Sequence, residues 1–86
     1  MIYMYPIKPY NDAKAFADTC ELIQRKFPKA VHEGLITDVD GTDLDSFKMG
    51  AYSITVLNDI EVGAVYVESN MHLDELFGSG IPIGER

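Results

Sequence analysis

Alternation of apolar and polar side chains is clearest between Tyr52 and Glu68, where two segments rich in Ile, Val, Thr and Tyr flank the pair Asn58-Asp59. β-Branched and aromatic residues suit a pleated surface, and Asn and Asp tolerate the positive φ of a tight reversal. The pattern therefore predicts a β-hairpin over residues 52–68 that turns at the Asn-Asp pair. In its second arm both sets of alternating positions are apolar, which predicts a central strand covered on both faces.

A second periodicity predicts the main helix. Residues 2–7 alternate as a first strand, and Pro6, which cannot donate to a sheet ladder, indicates that this end lies at an edge or marks the strand's exit. Over residues 11–27 apolar side chains recur at spacings of three and four, and charged side chains avoid that stripe. We therefore predict an amphipathic helix packed on a sheet, with Asn11 as its N-cap and Pro28 as its stop.

The pattern leaves the secondary structure of the remaining segments open. Residues 30–47 fit either a strand or a helical turn at their start, and the Asp40-Gly41 pair makes a second hairpin one of the alternatives. Residues 71–77 alternate as a strand about as well as they follow a helical period. The glycine-rich residues 78–86 are expected to be irregular.

These elements predict an α+β fold in one domain, residues 1–86: an antiparallel β-sheet of four to five strands with one main amphipathic helix, residues 11–27, packed on one face. The length of 86 residues and an apolar fraction of 47% suffice for one modest core. Cys20, the single cysteine, lies among apolar helix positions and is interpreted as a small buried hydrophobe. The sequence shows no basic leader and no apolar run of the roughly 20 residues that span a bilayer, so we expect an intracellular protein.

Charge is distributed unevenly along the chain. Residues 1–29 carry five basic and three acidic side chains, whereas residues 30–86 carry two basic and eleven acidic ones, and the formal net charge is −7. Such a field repels nucleic acid and anionic membranes and attracts basic surfaces. We therefore expect a basic protein surface as partner, with no direct nucleic-acid and no membrane contact. The candidate partner-binding residues are Asp38, Asp40, Asp43, Asp45, Asp59, Glu61, Glu68, Asp74 and Glu75.

Two local patterns near the Asp40-Gly41 pair suggest other chemistry. Residues 35–42 resemble the first motif of the haloacid dehalogenase phosphatases, an apolar run followed by Asp-x-Asp-Gly-Thr, but the later sequence supplies no further Lys and acidic pair for a Mg²⁺ site. Placing the glycine at position 6 of an EF-hand loop puts Ile36 where an oxygen ligand is required. His32 and His72 have no partner at metal-ligand spacing. We expect neither a metal nor a cofactor, and we assign no catalytic residue.

A broader similarity is to a known family. The Ile7-Lys-Pro segment, a helix ending in Phe27-Pro28, a hairpin with Gly63 in its second arm, and Leu73-Asp-Glu-Leu-Phe come in an order that resembles the N-terminal half of GNAT-type N-acetyltransferases. The resemblance implies a strand–helix–hairpin–strand fold and binding of acetyl-CoA. In that family the cofactor's pyrophosphate is bound by a glycine-rich loop that opens a helix. Here Pro82 interrupts the glycine-rich segment and removes a donor, so no site residue is carried over.

Three functional hypotheses follow, of which a metal-dependent phosphatase rests on the Asp-x-Asp-Gly-Thr match alone. The favoured one is a small acidic, non-enzymatic binding or inhibitory module whose negatively charged face engages a basic partner surface. Such a surface could be a nucleic-acid-binding groove, as with the inhibitors that phages direct against host defence proteins. The alternative is a truncated or dimer-completed acetyltransferase. A homodimer is also favoured by the two sheet edges, which need covering. The first hypothesis expects the carboxylates from Glu33 onward to gather on one exposed side.

Overall fold

The computed structural model describes residues 1–84 and shows a six-stranded antiparallel sheet with one main helix, α1 (Ala13–Lys26), packed against it. The strands are β1 (Ile2–Lys8), β2 (Val31–Thr37), β3 (Asp43–Met49), β4 (Tyr52–Asp59), β5 (Ala64–Ser69) and β6 (Ile81–Gly84), and a short helix α2 (Asp74–Phe77) precedes β6. Their order across the sheet is β2-β3-β4-β5-β1-β6. The predicted α+β architecture is confirmed, with six strands instead of four to five.

The segment with two interpretations, residues 30–47, forms a hairpin of β2 and β3. Its reversal is closed by the Asp38 N–H, which donates to the Thr42 carbonyl at 2.8 Å. Gly41 adopts φ 90°, a conformation that L side chains rarely adopt. The Asp-Gly signal therefore located this turn correctly, and the helical alternative is wrong.

The hairpin predicted over residues 52–68 is confirmed as β4 and β5, but its turn lies further along the chain. Asp59 still pairs with Ala64, so the reversal comprises residues 60–63 and needs φ 74° at Gly63. The Asp59 carboxylate accepts from the N–H groups of Glu61 and Val62 and so stabilises the turn from its flank. As predicted, β5 is an internal strand.

The N-cap of helix α1 lies one residue later than predicted. The Asp12 side chain accepts from the Ala15 N–H at 3.0 Å, so Asp12 is the N-cap. The predicted cap, Asn11, instead donates to the Asn58 side chain at 2.8 Å and to the Asp59 carbonyl at 3.0 Å. Asn11 thus connects the loop before α1 to the end of β4.

The core lies between α1 and the inner face of the sheet, which is the face that α1 covers. Phe16, Thr19, Cys20 and Ile23 of the helix are buried there. Phe16, Cys20 and Ile23 form one hydrophobic core with side chains of the sheet, and Thr19 lies beside it. The sheet residues of this core are Tyr5, Phe47, Ile54, Val56, Val65 and Val67. Because side chains alternate along a strand, the residues between these positions lie on the opposite, outer face.

After β5 the chain follows one expectation and departs from another. Of the two alternatives for residues 71–77 the helical one holds in part, because a loop leads into the short helix α2, whereas residues 81–84 form β6 on β1 where an irregular tail was expected. The fully buried Tyr5 accounts for this, because its hydroxyl accepts from the Leu73 N–H at 2.8 Å and donates to Asp74 at 2.9 Å. Gly80 passes so close that a Cβ there would lie 2.8 Å from the Tyr5 ring.

The two faces of the sheet are covered differently. On the inner face, α1 packs on β4, and α2 contacts β1 through Tyr5. No helix within residues 1–84 packs on the outer face, so the expectation that β5 is covered on both faces is wrong. Strand β6 pairs with residues 2–4 of β1, and Pro6 therefore lies beyond the part of β1 that β6 covers.

Candidate functional site

Five of the nine predicted contact carboxylates lie at one end of the sheet. They flank or occupy the β2–β3 and β4–β5 turns, which lie at the same end because alternate turns of an antiparallel meander do so. The Ile60 N–H donates to the Thr42 hydroxyl at 3.0 Å and joins the two turns directly. We call this group the acidic end: Asp38, Asp40, Asp43, Asp59 and Glu61.

Local hydrogen bonds hold most of the acidic end in place. Asp38 accepts from the Val39 N–H at 2.7 Å, and Asp40 accepts from the Thr42 N–H at 2.9 Å. Asp43 accepts from the Thr37 hydroxyl at 2.6 Å. The carboxylates are thus fixed by their own turns, which lowers the entropy lost when they bind a partner.

Asp59 is the most strongly held carboxylate of the acidic end. The Tyr66 hydroxyl donates to it at 2.6 Å. This hydrogen bond, followed by those from the N–H groups of Val62 and Glu61, outweighs partial burial and holds the pKa of Asp59 below its ordinary value. Asp59 therefore stays ionised across the neutral pH range.

Cationic side chains of residues 1–84 neutralise little of the negative charge of the acidic end. Within residues 1–84 Lys14 forms an ion pair with Asp18 and the His32 ring contacts Asp45, and neither contact includes a member of the acidic end. Lys8, which ends β1 near the β4–β5 turn, lies over the Tyr10 ring at 5.9 Å from its centroid. The negative field of the acidic end is therefore available to a partner that carries cations.

The other four predicted contacts lie elsewhere. Glu68 is on the outer face of β5, and Asp74 and Glu75 are in α2, near the opposite end of the sheet. Asp45 is buried on the inner face, with 6% of its surface exposed. The nine carboxylates do not form one exposed side, so that expectation is wrong, and Asp45 cannot reach a partner.

Asp45 belongs to a cluster of side chains, partly buried and partly exposed, that sequence reasoning missed. The His32 Nε2 lies 2.7 Å from both carboxylate oxygens, its Nδ1 lies 2.8 Å from the Gln24 amide, and its ring stacks on Phe47 at 4.7 Å. Burial, and then the Asp45 charge, raises the pKa of the Cys20 thiol to about 12. The thiol is therefore protonated and not nucleophilic, and the cluster joins α1 to the β2–β3 hairpin. One signal was present in the sequence: Asp45 alternates with Phe47 on the face that the helix covers.

Apolar side chains cross the outer face in a single row, which sequence reasoning also missed. Ile36 pairs with Leu44, Leu44 with Leu57, Leu57 with Tyr66, and Tyr66 with Pro6. We call these five residues the outer stripe. Ile36 is 55% exposed, and Leu44, Leu57 and Tyr66 are half-buried. Its signal in the sequence was the apolar character of both sets of alternating positions in the second arm of the 52–68 hairpin.

The outer stripe has polar neighbours on one side and a cleft at one end. Toward the β3–β4 turn, Ser46 and Thr55 face each other with their hydroxyls 3.0 Å apart. At the β1–β5 end the stripe opens into a mostly apolar cleft of about 420 Å³. The cleft is lined in part by Met4, Pro6, Val62, Ala64, Tyr66 and Ile83.

Over residues 1–84 no group of three or more His, Cys, Asp or Glu side chains is arranged to hold a metal ion, the acidic end included. The same residues contain no helix with the length and apolarity needed to cross a membrane. Comparison with models of known families, with curated proteins and with solved structures finds no match. The similarity to the acetyltransferase family stays a prediction.

Proposed function

We propose that this protein is a non-enzymatic binding module whose acidic end engages a basic surface of a protein partner. The observation that carries the proposal is the convergence of five carboxylates on two turns that are hydrogen-bonded to each other. A nucleic-acid-binding groove is a partner surface of the required sign, and occupation of such a groove would inhibit the partner.

The chemistry of the acidic end supports binding more than catalysis. Its carboxylates accept hydrogen bonds from their own turns, and Asp59, whose pKa is lowered, is suited to attract cations but not to donate a proton. The Cys20 thiol, which could act as a nucleophile in another setting, has its pKa raised to about 12. Pre-formed charge on a fixed scaffold mainly raises the association rate and the selectivity for basic partners.

Affinity capture with charge-neutralised variants tests the proposal. The variant Asp38→Asn/Asp40→Asn/Glu61→Gln removes three charges and keeps the side-chain acceptors that close the β2–β3 turn. Exposed ion pairs are each worth roughly 0.2–1 kcal/mol, so binding should weaken roughly threefold to a hundredfold. The proposal predicts a protein that wild type retains from a lysate and this variant does not.

A matched control removes the same charge elsewhere. Glu21→Gln/Glu33→Gln/Glu75→Gln changes three exposed carboxylates away from the acidic end. It should capture the same protein as wild type. Equal capture by all three proteins, or equal loss in both variants, would show that the acidic end has no specific role.

A further inference from the structure

The outer stripe is an apolar surface on which no helix of residues 1–84 packs, and it lies beside the acidic end. One flank holds Asp59 and Glu61, and the β2–β3 turn brings Asp38 and Asp40 to the same end of the sheet. Three apolar side chains in these turns are also strongly exposed: Val39 at 103%, Ile60 at 46% and Val62 at 66%. Contiguous apolar surface with a charged border marks interaction sites in soluble proteins.

We propose that the outer stripe binds a basic amphipathic helix of the protein partner, an inference that rests on the proposed function. The apolar side of the helix packs on the stripe, and its Lys and Arg side chains extend toward the acidic end. Five adjacent strands at about 4.8 Å spacing give a stripe of roughly 19 Å. A helix rises 1.5 Å per residue, so about 13 residues with apolar positions at i, i+3 or i+4, and i+7 cover it.

The cleft at the end of the stripe suits an anchoring side chain. Its volume of about 420 Å³ is within the range of sites that enclose small organic groups, and its lining is mostly apolar. A large aliphatic or aromatic side chain at one end of the helix fills it between Met4, Ala64 and Val62. Interfaces generally take most of their affinity from a few such anchors.

Charge selects this occupant over a second copy of the chain. Two copies stacked face to face would bring together two chains with a net charge of −7 each, and that repulsion opposes association. A basic helix instead supplies the opposite sign next to the acidic end. The row of Ser46 and Thr55 on the other flank can accept and donate hydrogen bonds to the polar side of the helix.

Three synthetic peptides of about 14 residues serve as probes. The first is a basic amphipathic Leu/Lys helix, the second has the same composition with its leucines off a common face, and the third replaces Lys with Glu. Methyl NMR titrations should show that the first peptide binds at least about tenfold more tightly than the second, with shifts at Ile36, Leu44 and Leu57. The acidic peptide should not bind.

A matched pair of variants locates the contact. Ile36→Lys places a cation on the outer face, and Leu35→Lys makes the same change at a residue that is 60% exposed and, through its pairing with Asp45, lies on the inner side. Edge strands tolerate Lys, so both proteins should fold. Ile36→Lys should weaken binding of the amphipathic peptide roughly tenfold, and Leu35→Lys should leave it within about twofold. Leu57→Thr should reproduce the loss without adding charge.

Three other outcomes would overturn the inference. Equal binding of both basic peptides, with shifts confined to the acidic end, overturns the inference and leaves the proposed function standing. Failure of both basic peptides to bind better than the acidic one overturns both. Self-association of the chain in sedimentation experiments that Ile36→Lys abolishes would show that a second copy covers this face, and would also overturn the inference.

Discussion

Tyr5→Phe should destabilise the protein far more than removal of a hydroxyl from an exposed tyrosine would. The Tyr5 side chain is fully buried, and its hydroxyl is the acceptor for the N–H of Leu73, a residue that is 2% exposed. Removing the hydroxyl leaves that N–H buried without a partner, which costs about 1–3 kcal/mol. The lost donation to Asp74, an exposed carboxylate, adds little.

Urea unfolding of Tyr5→Phe beside Tyr52→Phe measures this cost. Tyr52 is 51% exposed, so its variant should unfold within about 0.5 kcal/mol of wild type. A loss of about 2 kcal/mol at Tyr5 corresponds to a melting temperature lowered by roughly 8–16 °C in a domain of this size. Equal unfolding midpoints for the two variants would refute the assignment of Tyr5 as the acceptor for Leu73.

The same residue gives the prediction a pH dependence. Burial, more than any other cause, raises the pKa of Tyr5 above its ordinary value of 10.0. Because the folded state binds this proton more tightly than the unfolded state, the associated stability is fully present below pH 10.0 and is lost as pH rises through the folded pKa. The difference in unfolding free energy between wild type and Tyr5→Phe should therefore narrow in strongly alkaline solution.

Three further predictions concern Asp59, Cys20 and Asp12. Tyr66→Phe should raise the pKa of Asp59 in an NMR titration and lower the unfolding free energy by about 0.5–1 kcal/mol at neutral pH. Because the pKa of Asp59 is lowered in the folded state, this loss of stability should vanish as pH falls through that pKa. An unchanged titration would contradict the hydrogen bond from Tyr66 to Asp59. Cys20, with its pKa near 12, should resist thiol reagents in the native protein and react once urea unfolds it; rapid native labelling would contradict its burial beside Asp45. Asp12→Ala should cost about 1 kcal/mol and Asp12→Asn little in urea unfolding, and equal losses would contradict capping by Asp12.

The elements that the sequence predicted well are those whose burial is expressed locally. Helix α1 and the β4–β5 hairpin each bury one set of periodic positions against the same core, so spacing alone identified them. The Asp40-Gly41 turn was also local, because a glycine at φ 90° meets a requirement of the turn itself. Each of these features can be recognised from a few consecutive residues.

The errors occur where distant residues decide the local structure. Asn58 suited a turn, but its side chain is bound by Asn11, so β4 extends through it. Residues 81–84 are rich in glycine and proline, yet they form a strand because β1 offers an open edge and Tyr5 anchors the segment before it. Contacts across 47 and 68 residues leave no trace in local composition.

The candidate site could be predicted in composition but not in arrangement. The acidity of residues 30–86 indicated a basic partner, but only the register of the sheet brings Asp38 and Asp59 to one end and places Asp45 inside. The outer stripe likewise depends on the registers of four strand pairs at once. A slip of one residue in any strand would move the stripe residue of that strand to the inner face.

Salt dependence of binding to the captured partner tests the central claim most directly. Screening weakens attraction between exposed charges, so the affinity of wild type should fall steeply as salt rises. The variant Asp38→Asn/Asp40→Asn/Glu61→Gln should bind more weakly at low salt and show a clearly shallower decline. A wild-type affinity that stays flat between low and moderate salt, or identical slopes for the two proteins, would contradict binding through the acidic end.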